Sequence, residues 1–203
     1  MLVIGLCGGS GSGKTTVAKE FIDFGIPCIN ADEVYRELLY PKSPLIEKLR
    51  RAFGDEVICV DGSLNRKALA ARVFYGNGDV SDLHMLNKIT HSAVIHEAKK
   101  RIEKYRKAGK LAVVFDAPLL FESKFNQKCD VIVSVIADKD IRIDRIMERD
   151  GIGREAAEGR IAAQLSDEFL KSNSDYVIVN NGTVRELSEK SLAVVKNIFK
   201  RGK

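Results

Sequence analysis

The sequence predicts a doubly wound α/β fold, in which a five-stranded parallel sheet is covered by helices. Three observations predict it: five short apolar runs, helical patterns between them, and a glycine-rich loop after the first run. The runs occupy residues 2–7, 26–30, 111–115, 129–137 and 175–179. They are almost unbroken in apolar residues, which is typical of parallel strands buried on both faces.

A phosphate-binding motif follows the first run. Residues 8–15, which we call the phosphate loop, read Gly-Gly-Ser-Gly-Ser-Gly-Lys-Thr and match G-x-x-x-x-G-K-[ST]. A helical pattern, Val17, Ala18 and Phe21, comes next. In this context the glycines let backbone N–H groups turn toward phosphate oxygens at the positive end of a helix. The alternative is a flexible glycine loop that carries a lysine by chance.

The motif also predicts which residues hold a nucleotide and a metal ion. Lys14 is expected to reach the β- and γ-phosphates of ATP, and the Thr15 hydroxyl to bind Mg²⁺. The predicted ATP-binding residues of the loop and the first helical turn are Gly9, Ser10, Gly11, Ser12, Gly13, Lys14, Thr15 and Thr16.

The second run leads to a carboxylate, in Ile29-Asn30-Ala31-Asp32. Because the carboxyl ends of parallel strands gather at one edge of a sheet, we expect Asp32 beside the phosphate loop. There it is able to accept the proton of an acceptor hydroxyl or to align that hydroxyl, with alignment the larger role. An aspartate at this position is equally suited to cap a helix over residues 33–39. The residues alone leave both interpretations open.

Residues 31–110 are too many for one crossover helix between the second and third runs. They contain several helical stretches and the turn-forming residues Pro41, Pro44, Gly54, Gly62, Gly76 and Gly78. In the last stretch, residues 90–108, apolar side chains fall on one helical face: Ile95, Ala98, Ile102 and Tyr105. We therefore predict a helical insertion that hosts a second substrate.

The third run ends at Asp116, which we interpret as a carboxylate of the Walker B type that holds magnesium through water. Four apolar residues before an aspartate also occur by chance. An apolar loop follows, Pro118-Leu119-Leu120-Phe121-Glu122. It either lines the apolar part of a ligand or packs as ordinary core.

After the fourth run, Asp138 is the predicted N-cap of a helix that extends to about Asp150. Arg145 and Arg149 are four residues apart in this helix and so share a face. Glycines 151 and 153 follow, and mobile arginines beside such a hinge suit a lid that clamps phosphates. Alternatively, the two arginines lie on a solvated face and pair with Asp144 and Glu148.

Composition bounds the class of protein. With 203 residues, 45% hydrophobic and 30% charged, the chain is an ordinary globular domain with room for insertions. The net charge of +5 matches the five basic residues of 190–203, where no acidic residue occurs. A basic last helix is more typical of solvation than of nucleic-acid binding, and no nucleic-acid motif occurs. We predict no nucleic-acid partner.

Cysteine usage and hydropathy predict the compartment. Cys7, Cys28, Cys59 and Cys129 are dispersed without a C-x-x-C pair. We interpret them as small buried hydrophobic residues in a reducing compartment, not as metal ligands or disulfides. No apolar stretch approaches the ~18 residues that span a bilayer, and no targeting segment opens the chain. We predict a cytoplasmic protein with no membrane partner.

Together these segments resemble the dephospho-CoA kinase family over nearly the whole chain. The resembling segments are residues 5–15, Ile29–Asp32 with Arg36, Asp61–Arg66, Asp116–Glu122, Arg145 to Asp150, Arg160 to Gln164 and Asp175 to Gly182. The phosphate loop is common to many kinases, whereas its combination with residues 61–74 and 116–122 is specific. Two positions depart from the family: His91-Ser92 replaces the usual His-Pro, and Leu170 stands where a basic residue is typical.

The resemblance implies a P-loop NTPase three-layer sandwich with sheet order 2-3-1-4-5, a helical insertion and a small helical lid. It implies a nucleotide-binding core of residues 1–30, 111–148 and 166–203. Residues 31–110 would form the helical region that binds the acceptor, and residues 149–165 the lid.

The resemblance also implies a reaction, transfer of the ATP γ-phosphoryl group to the ribose 3′-hydroxyl of dephospho-CoA with Mg²⁺, the last step of coenzyme A biosynthesis. Asp32 and Lys14 are the catalytic residues that it implies. Arg145 and Arg149 would contact the nucleotide. The residues that would contact the acceptor are Asp32, Arg36, Arg66, His91, Pro118 and Leu119.

Two other functions are alternatives. One is another small P-loop kinase, acting on nucleoside monophosphates, nucleosides or shikimate, which a panel of acceptors would separate. The other is a non-catalytic ATP-binding module, which would bind nucleotide without acceptor-dependent turnover. A GTPase is excluded, because Asn180-Asn181-Gly182-Thr183 and Asp116-Ala117-Pro118-Leu119 lack the required Asn-Lys-x-Asp and Asp-x-x-Gly patterns.

Overall fold

One five-stranded sheet organises the structure, a computed structural model that describes residues 1–75 and 80–200. Its order is β2-β3-β1-β4-β5, and this order confirms the prediction. The strands are β1 (Leu2–Gly8), β2 (Cys28–Asn30), β3 (Ala112–Asp116), β4 (Val131–Ile136) and β5 (Tyr176–Val179). Gly76 and Gly78, predicted to punctuate the insertion, lie outside the described residues.

Helices connect the strands as the sequence predicts. They are α1 (Lys14–Asp23), α2 (Ala31–Leu38), α3 (Pro44–Phe53), α4 (Arg66–Ala70), α5 (Val80–Lys107), α6 (Lys139–Asp150), α7 (Arg154–Ala162), α8 (Asp167–Ser172) and α9 (Val184–Lys200). Short 3₁₀ turns span Asp55–Val57 and Phe125–Lys128, and a π-helical turn spans Ala71–Tyr75.

The described chain divides into two compact units. The first, the sheet unit, comprises residues 1–29 and 104–203, and the second, the helical unit, comprises residues 30–103. The residue ranges predicted for the nucleotide core, the acceptor region and the lid (149–165) stay a prediction. Helix α7 lies within the predicted lid range.

The core of the sheet unit lies between the sheet and the helices α1 and α9. Its buried residues include Ile4, Leu6, Val17, Phe21, Val114, Val133, Val135, Ile178, Leu187, Val195 and Ile198. Side chains alternate between the two faces of a strand. Val114 of β3 therefore joins this core, while Phe115 faces away from it and packs on Phe125, with ring centroids 4.4 Å apart.

Close approach requires the glycine in the middle of β1. A Cβ atom on Gly5 would lie 2.8 Å from Cys129 Sγ and 2.8 Å from Leu120 Cδ2. Both distances are well inside van der Waals contact, so the segments that carry Cys129 and Leu120 pack directly against the strand backbone.

The helical unit has its own core. Its buried residues are Leu45, Leu49, Phe53, Val57, Leu69 and Val73. Helix α3 begins at Pro44, and the buried Ser43 before it accepts a hydrogen bond from the Ile46 N–H through its Oγ atom, at 3.1 Å. Proline at the first helical position and serine at the cap are both favoured, because neither leaves an extra N–H group unpaired.

Two helix boundaries refine the predictions. Within the described residues, helix α5 extends from Val80 and so includes residues before 90, and Leu83, Leu86 and Ile89 continue its apolar face onto the helical-unit core. Asp138 occupies the N-cap position of α6, as predicted, but its side chain makes no capping hydrogen bond among the described residues. The backbone N–H of Asp138 instead donates to Asn181 Oδ1 at 2.9 Å.

The four thiols are free, and one prediction about them is wrong. Cys7 is buried and Cys28 and Cys129 are partly buried, but Cys59 is exposed, because it lies in the turn after the 3₁₀ segment Asp55–Val57. Burial raises the pKa of Cys7 to about 11 and that of Cys129 to about 12. Within the described ranges, no helix combines the length and the apolar character that crossing a membrane requires.

Candidate functional site

The phosphate loop joins β1 to α1 and curls back on itself. Ser12 N–H donates to the Gly9 carbonyl at 3.1 Å, and Thr16 N–H donates to the Gly13 carbonyl at 3.0 Å. The N–H groups of Lys14 and Thr15 stand at the first positions of α1, where a helix offers no internal acceptor. They are therefore available to an anion at the positive end of the helix.

Lys14 and Asp116 form an ion pair beside this loop. The Lys14 ammonium contacts the Asp116 carboxylate, and the side chains are only 13% and 2% exposed. The pairing of β1 with β3 explains this contact, because Asp116 lies opposite Leu6 in the sheet register, close to the start of the loop. The predicted Walker B aspartate therefore lies at the phosphate loop. Thr15, the last residue of the loop, is exposed.

Both predicted arginines of α6 reach the phosphate loop. Arg145 Nη1 donates to the carbonyl oxygens of Gly11 and Asn180, at 3.2 Å each. Arg149 Nη2 donates to Ser10 Oγ at 3.1 Å. Each arginine therefore has a partner in or beside the loop, which the solvated-face alternative does not provide, although Arg149 is also exposed and pairs with an acidic neighbour, Asp150.

Arg149 also belongs to an acidic-basic cluster at the end of α6. Its guanidinium forms two hydrogen bonds with the Asp150 carboxylate, at 2.7 and 2.8 Å, and Arg160 of α7 contacts the same carboxylate. Hydrogen bonding from Arg149, and secondarily from Arg160, lowers the pKa of Asp150 to about 2. These ion pairs connect α6 to α7.

A third arginine of α6, which the sequence reasoning missed, is more buried than the other two. Arg142 is 4% exposed, and its Nε donates to the Ser10 carbonyl at 2.9 Å. Its Nη2 donates to Gln164 Oε1 at 2.6 Å, and its Nη1 lies 3.4 Å from Asp167 Oδ1. Burial lowers the pKa of Arg142. The spacing 142, 145 and 149 along one helical face was a signal that could have identified it.

Gln164 and Asn180 hold the loop from two further elements. Gln164 Oε1 accepts from the Ser10 N–H at 3.1 Å, and the buried Asn180, which follows β5, donates from Nδ2 to the Ser12 carbonyl at 2.8 Å. Gly11 has a φ of 77°, and a Cβ on it would lie 2.6 Å from the Arg142 carbonyl oxygen. Only glycine satisfies both conditions.

A small cavity of about 70 Å³ opens beside the phosphate loop. Its lining residues are Gly8, Gly9, Pro118, Leu119, Glu122, Ala163, Gln164, Leu165 and Leu170. The predicted acceptor-binding residues Pro118 and Leu119 are exposed and form part of this wall. Leu120 of the same segment is fully buried, so the apolar stretch serves both a cavity and the core.

The remaining predicted residues lie in the helical unit. Asp32 and Arg36 are one turn apart on α2 and both are exposed, Arg66 begins α4 and is exposed, and His91 is half-buried on α5. The alternative role of Asp32 as a helix cap is wrong. Asn30 is the cap, because its side chain accepts from the N–H groups of Asp32 and Glu33, at 2.9 and 3.0 Å. Within the described residues, the Asp32 carboxylate has no recorded hydrogen-bond partner.

The helical unit also contains a cleft of about 610 Å³. It is lined by Glu37, Leu38, Tyr40, Pro44, Leu45, Lys48, Ser92, Ala93, His96, Glu97, Lys100 and Arg101. None of the predicted acceptor-binding residues is among these described lining residues. Among these residues, Arg101 pairs with Glu37 and with Glu97, one turn away on α5.

The sequence and the structure are both similar to those of known proteins. A family model described as "CoaE: Dephospho-CoA kinase" matches residues 2–186. The chain is 43% identical over 187 residues to the dephospho-CoA kinase of Leifsonia xyli subsp. xyli, covering 92% of this chain and 93% of that protein. It is 40% identical over 195 residues to the dephospho-CoA kinase of Bacillus thuringiensis subsp. konkukian, covering 96% of each. Its structure is similar to that of TT1252 from Thermus thermophilus, with a TM-score of 0.81, 29% identity and coverage of 97% and 96%.

Proposed function

The chain belongs to the dephospho-CoA kinase family and phosphorylates dephospho-CoA with ATP in coenzyme A biosynthesis, and we propose that the ribose 3′-hydroxyl is the acceptor. One observation supports the residue roles proposed below. Lys14 and Asp116 form an ion pair at the phosphate loop, and three arginines of α6 donate hydrogen bonds to the same loop. Phosphoryl transfer needs in-line positioning and positive charge around the transferred group more than covalent help from the protein.

The phosphate loop is the proposed ATP site. Backbone N–H groups of the loop and of the first turn of α1 face the phosphates, and Lys14 leaves Asp116 to neutralise the β- and γ-phosphates. Arg145 and Arg149, already at Gly11 and Ser10, are placed to contact the same oxygens. Guanidinium groups suit this role because they donate two hydrogen bonds to one phosphate.

Mg²⁺ is the proposed cofactor. The described residues contain no cluster of three or more acidic, histidine or cysteine side chains that could hold a metal ion alone. This fits magnesium in kinases, which binds one or two protein oxygens and takes its other ligands from phosphates and water. Thr15, with its exposed hydroxyl, and Asp116 would hold the ion. When bound, it would neutralise charge on the phosphoryl group.

Asp32 is the proposed catalytic carboxylate. Asn30 caps α2, so the Asp32 carboxylate does not serve as the helix cap. This supports a catalytic role for it. Arg36 lies one turn later on the same face and is proposed to bind the acceptor with Arg66, His91, Pro118 and Leu119. Four free thiols suit a reducing compartment, so we place the protein in the cytoplasm.

Substitution of Asp32 tests the catalytic assignment. With Mg²⁺-ATP and dephospho-CoA, we expect Asp32→Asn to lower kcat by about 10²- to 10⁴-fold, the range typical of a lost general base, with ATP affinity unchanged. The measurements are ADP release and calorimetric ATP binding. Glu33→Gln, an exposed neighbour on the same helix, is the matched control. Full activity of Asp32→Asn would remove Asp32 from its role, and a preference for nucleotides or shikimate as acceptors would overturn the substrate.

A further inference from the structure

Gln164 is fixed in one orientation at the phosphate loop. Its Oε1 atom accepts two hydrogen bonds, from the Ser10 N–H at 3.1 Å and from Arg142 Nη2 at 2.6 Å. Both partners are obligate donors, so the oxygen and nitrogen ends of the amide are distinguished by their surroundings. The Nε2 group must therefore lie on the other side of the amide.

Arg142 is in turn held from several sides. Its Nε donates to the Ser10 carbonyl at 2.9 Å and its Nη1 faces Asp167 at 3.4 Å, while the guanidinium is almost fully buried. Ser10 thus gives its N–H to Gln164 and its carbonyl to Arg142. This closed set of contacts, which we call the Ser10 latch, joins the loop, α6 and the segment between α7 and α8.

Gln164 lines a cavity that also borders the phosphate loop. Gly8 and Gly9 of the loop line the same cavity, of about 70 Å³. Among the described residues, Nε2 has no recorded acceptor. Two N–H donors are therefore left for a ligand in the cavity, beside a loop built for anions.

We propose that Gln164 is a catalytic residue, whose amide N–H groups donate to the phosphoryl group during transfer, and that Arg142 is the positioning residue that orients it. This inference rests on the proposed kinase function and adds a donor that the phosphate motif does not contain. Hydrogen bonds to a charged group that strengthen in the transition state lower the barrier, so their loss appears in kcat.

Two substitutions of Gln164 separate donation from packing. Gln164→Glu keeps an acceptor oxygen for Ser10 and Arg142 but removes the N–H donors, and Gln164→Leu removes both. We expect each to lower kcat about 10- to 100-fold, the loss typical of a hydrogen bond to a charged group, with KM for ATP changed less than threefold. Gln127→Leu, at an exposed position of the same unit, is the control and should retain full activity.

A double-mutant cycle tests the role of Arg142. Arg142→Met should lower kcat in the wild-type background but have no further effect in Gln164→Leu, because the group that it orients is gone. Arg185→Met, at an arginine whose side chain is 89% exposed, is the matched control. Additive losses would show that Arg142 acts by packing alone and would overturn its role. If Arg142→Met does not fold by thermal melting, the two Gln164 variants still decide the donor role.

The outcomes are distinguishable from failure of the proposed function. A wild-type protein that releases no ADP with dephospho-CoA would overturn the kinase assignment, and this inference with it. An active wild type with Gln164→Glu within twofold of it would overturn this inference alone, whatever the activity of Gln164→Leu.

Discussion

Cysteine side chains in this protein differ in burial, and we expect them to differ in reactivity for that reason. Burial raises the pKa of Cys7 to about 11 and of Cys129 to about 12, so both are neutral thiols at pH 8, whereas Cys59 is exposed. The thiolate is the reacting species, and we expect iodoacetamide at pH 8 to modify Cys59 first. Mass spectrometry of tryptic peptides measures this. Cys59→Ser should abolish the fast phase, and modification of Cys7 at the rate of Cys59 would contradict the prediction.

The roles of single residues were predictable where the residues belong to a local sequence motif. They were not predictable where the fold brings together residues that are distant in sequence. Lys14 and Thr15 follow from eight consecutive residues. Arg142 shares the helical face of Arg145 and Arg149, but its burial was not predictable, because its main partner is a loop carbonyl 132 positions away along the chain. The capping role suggested for Asp32 was wrong because the helix begins one residue earlier than position 32, so the backbone geometry places Asn30 at the cap.

Helix α3 offers a test of a single helical element. The Ser43 hydroxyl accepts from the Ile46 N–H and is fully buried, so its loss leaves an N–H unpaired where water cannot replace it. We expect Ser43→Ala to lower the free energy of unfolding by about 1 kcal/mol, measured by urea denaturation. Ser92→Ala, at an exposed position inside α5, is the control and should cost nothing, since alanine is a good helix former. Equal stability losses would contradict a capping role.

Elements were predicted well in type and less well in extent. All five strands lie at the predicted runs, because unbroken apolar stretches of this length are characteristic of buried parallel strands. Strand β2 begins at Cys28 and not at residue 26, and Pro27 explains this, since it accepts from Val114 N–H at 2.8 Å but has no N–H to donate. The residues of α5 before position 90 were missed because their apolar face matches a core formed by distant residues.

Nucleotide binding should stabilise the molecule as a whole. A ligand that binds only the folded state at 100 times its Kd adds about 2.7 kcal/mol of stability, so we expect ATP to raise the Tm measured by calorimetry. Lys14→Ala should lower the Tm without ligand, because the buried Asp116 carboxylate would lose the ammonium that neutralises it, and should remove most of the rise with ATP. Lys19→Ala, exposed on α1, is the control. An undiminished rise in Lys14→Ala would contradict the role of Lys14.

The overall fold class was predictable from the apolar runs and the phosphate loop, and the sheet order from a family resemblance that covers nearly the whole chain. The division into a sheet unit and a helical unit was foreseen only as a long insertion, since its core of Leu45, Leu49 and Phe53 lies on short helices whose packing no local pattern specifies. The same holds for the Ser10 latch, whose members come from three separate segments.

The close packing of Cys129 and Leu120 against Gly5 of β1 has a consequence for engineering of this enzyme. Even the smallest side chain there would push on Cys129 and Leu120, which lie just before β4 and in the apolar segment after β3. A methyl group introduced at this one position would therefore also disturb the wall of the 70 Å³ cavity beside the phosphate loop, because Pro118 and Leu119 of that wall directly precede Leu120. Libraries that aim to change acceptor preference should leave this codon untouched.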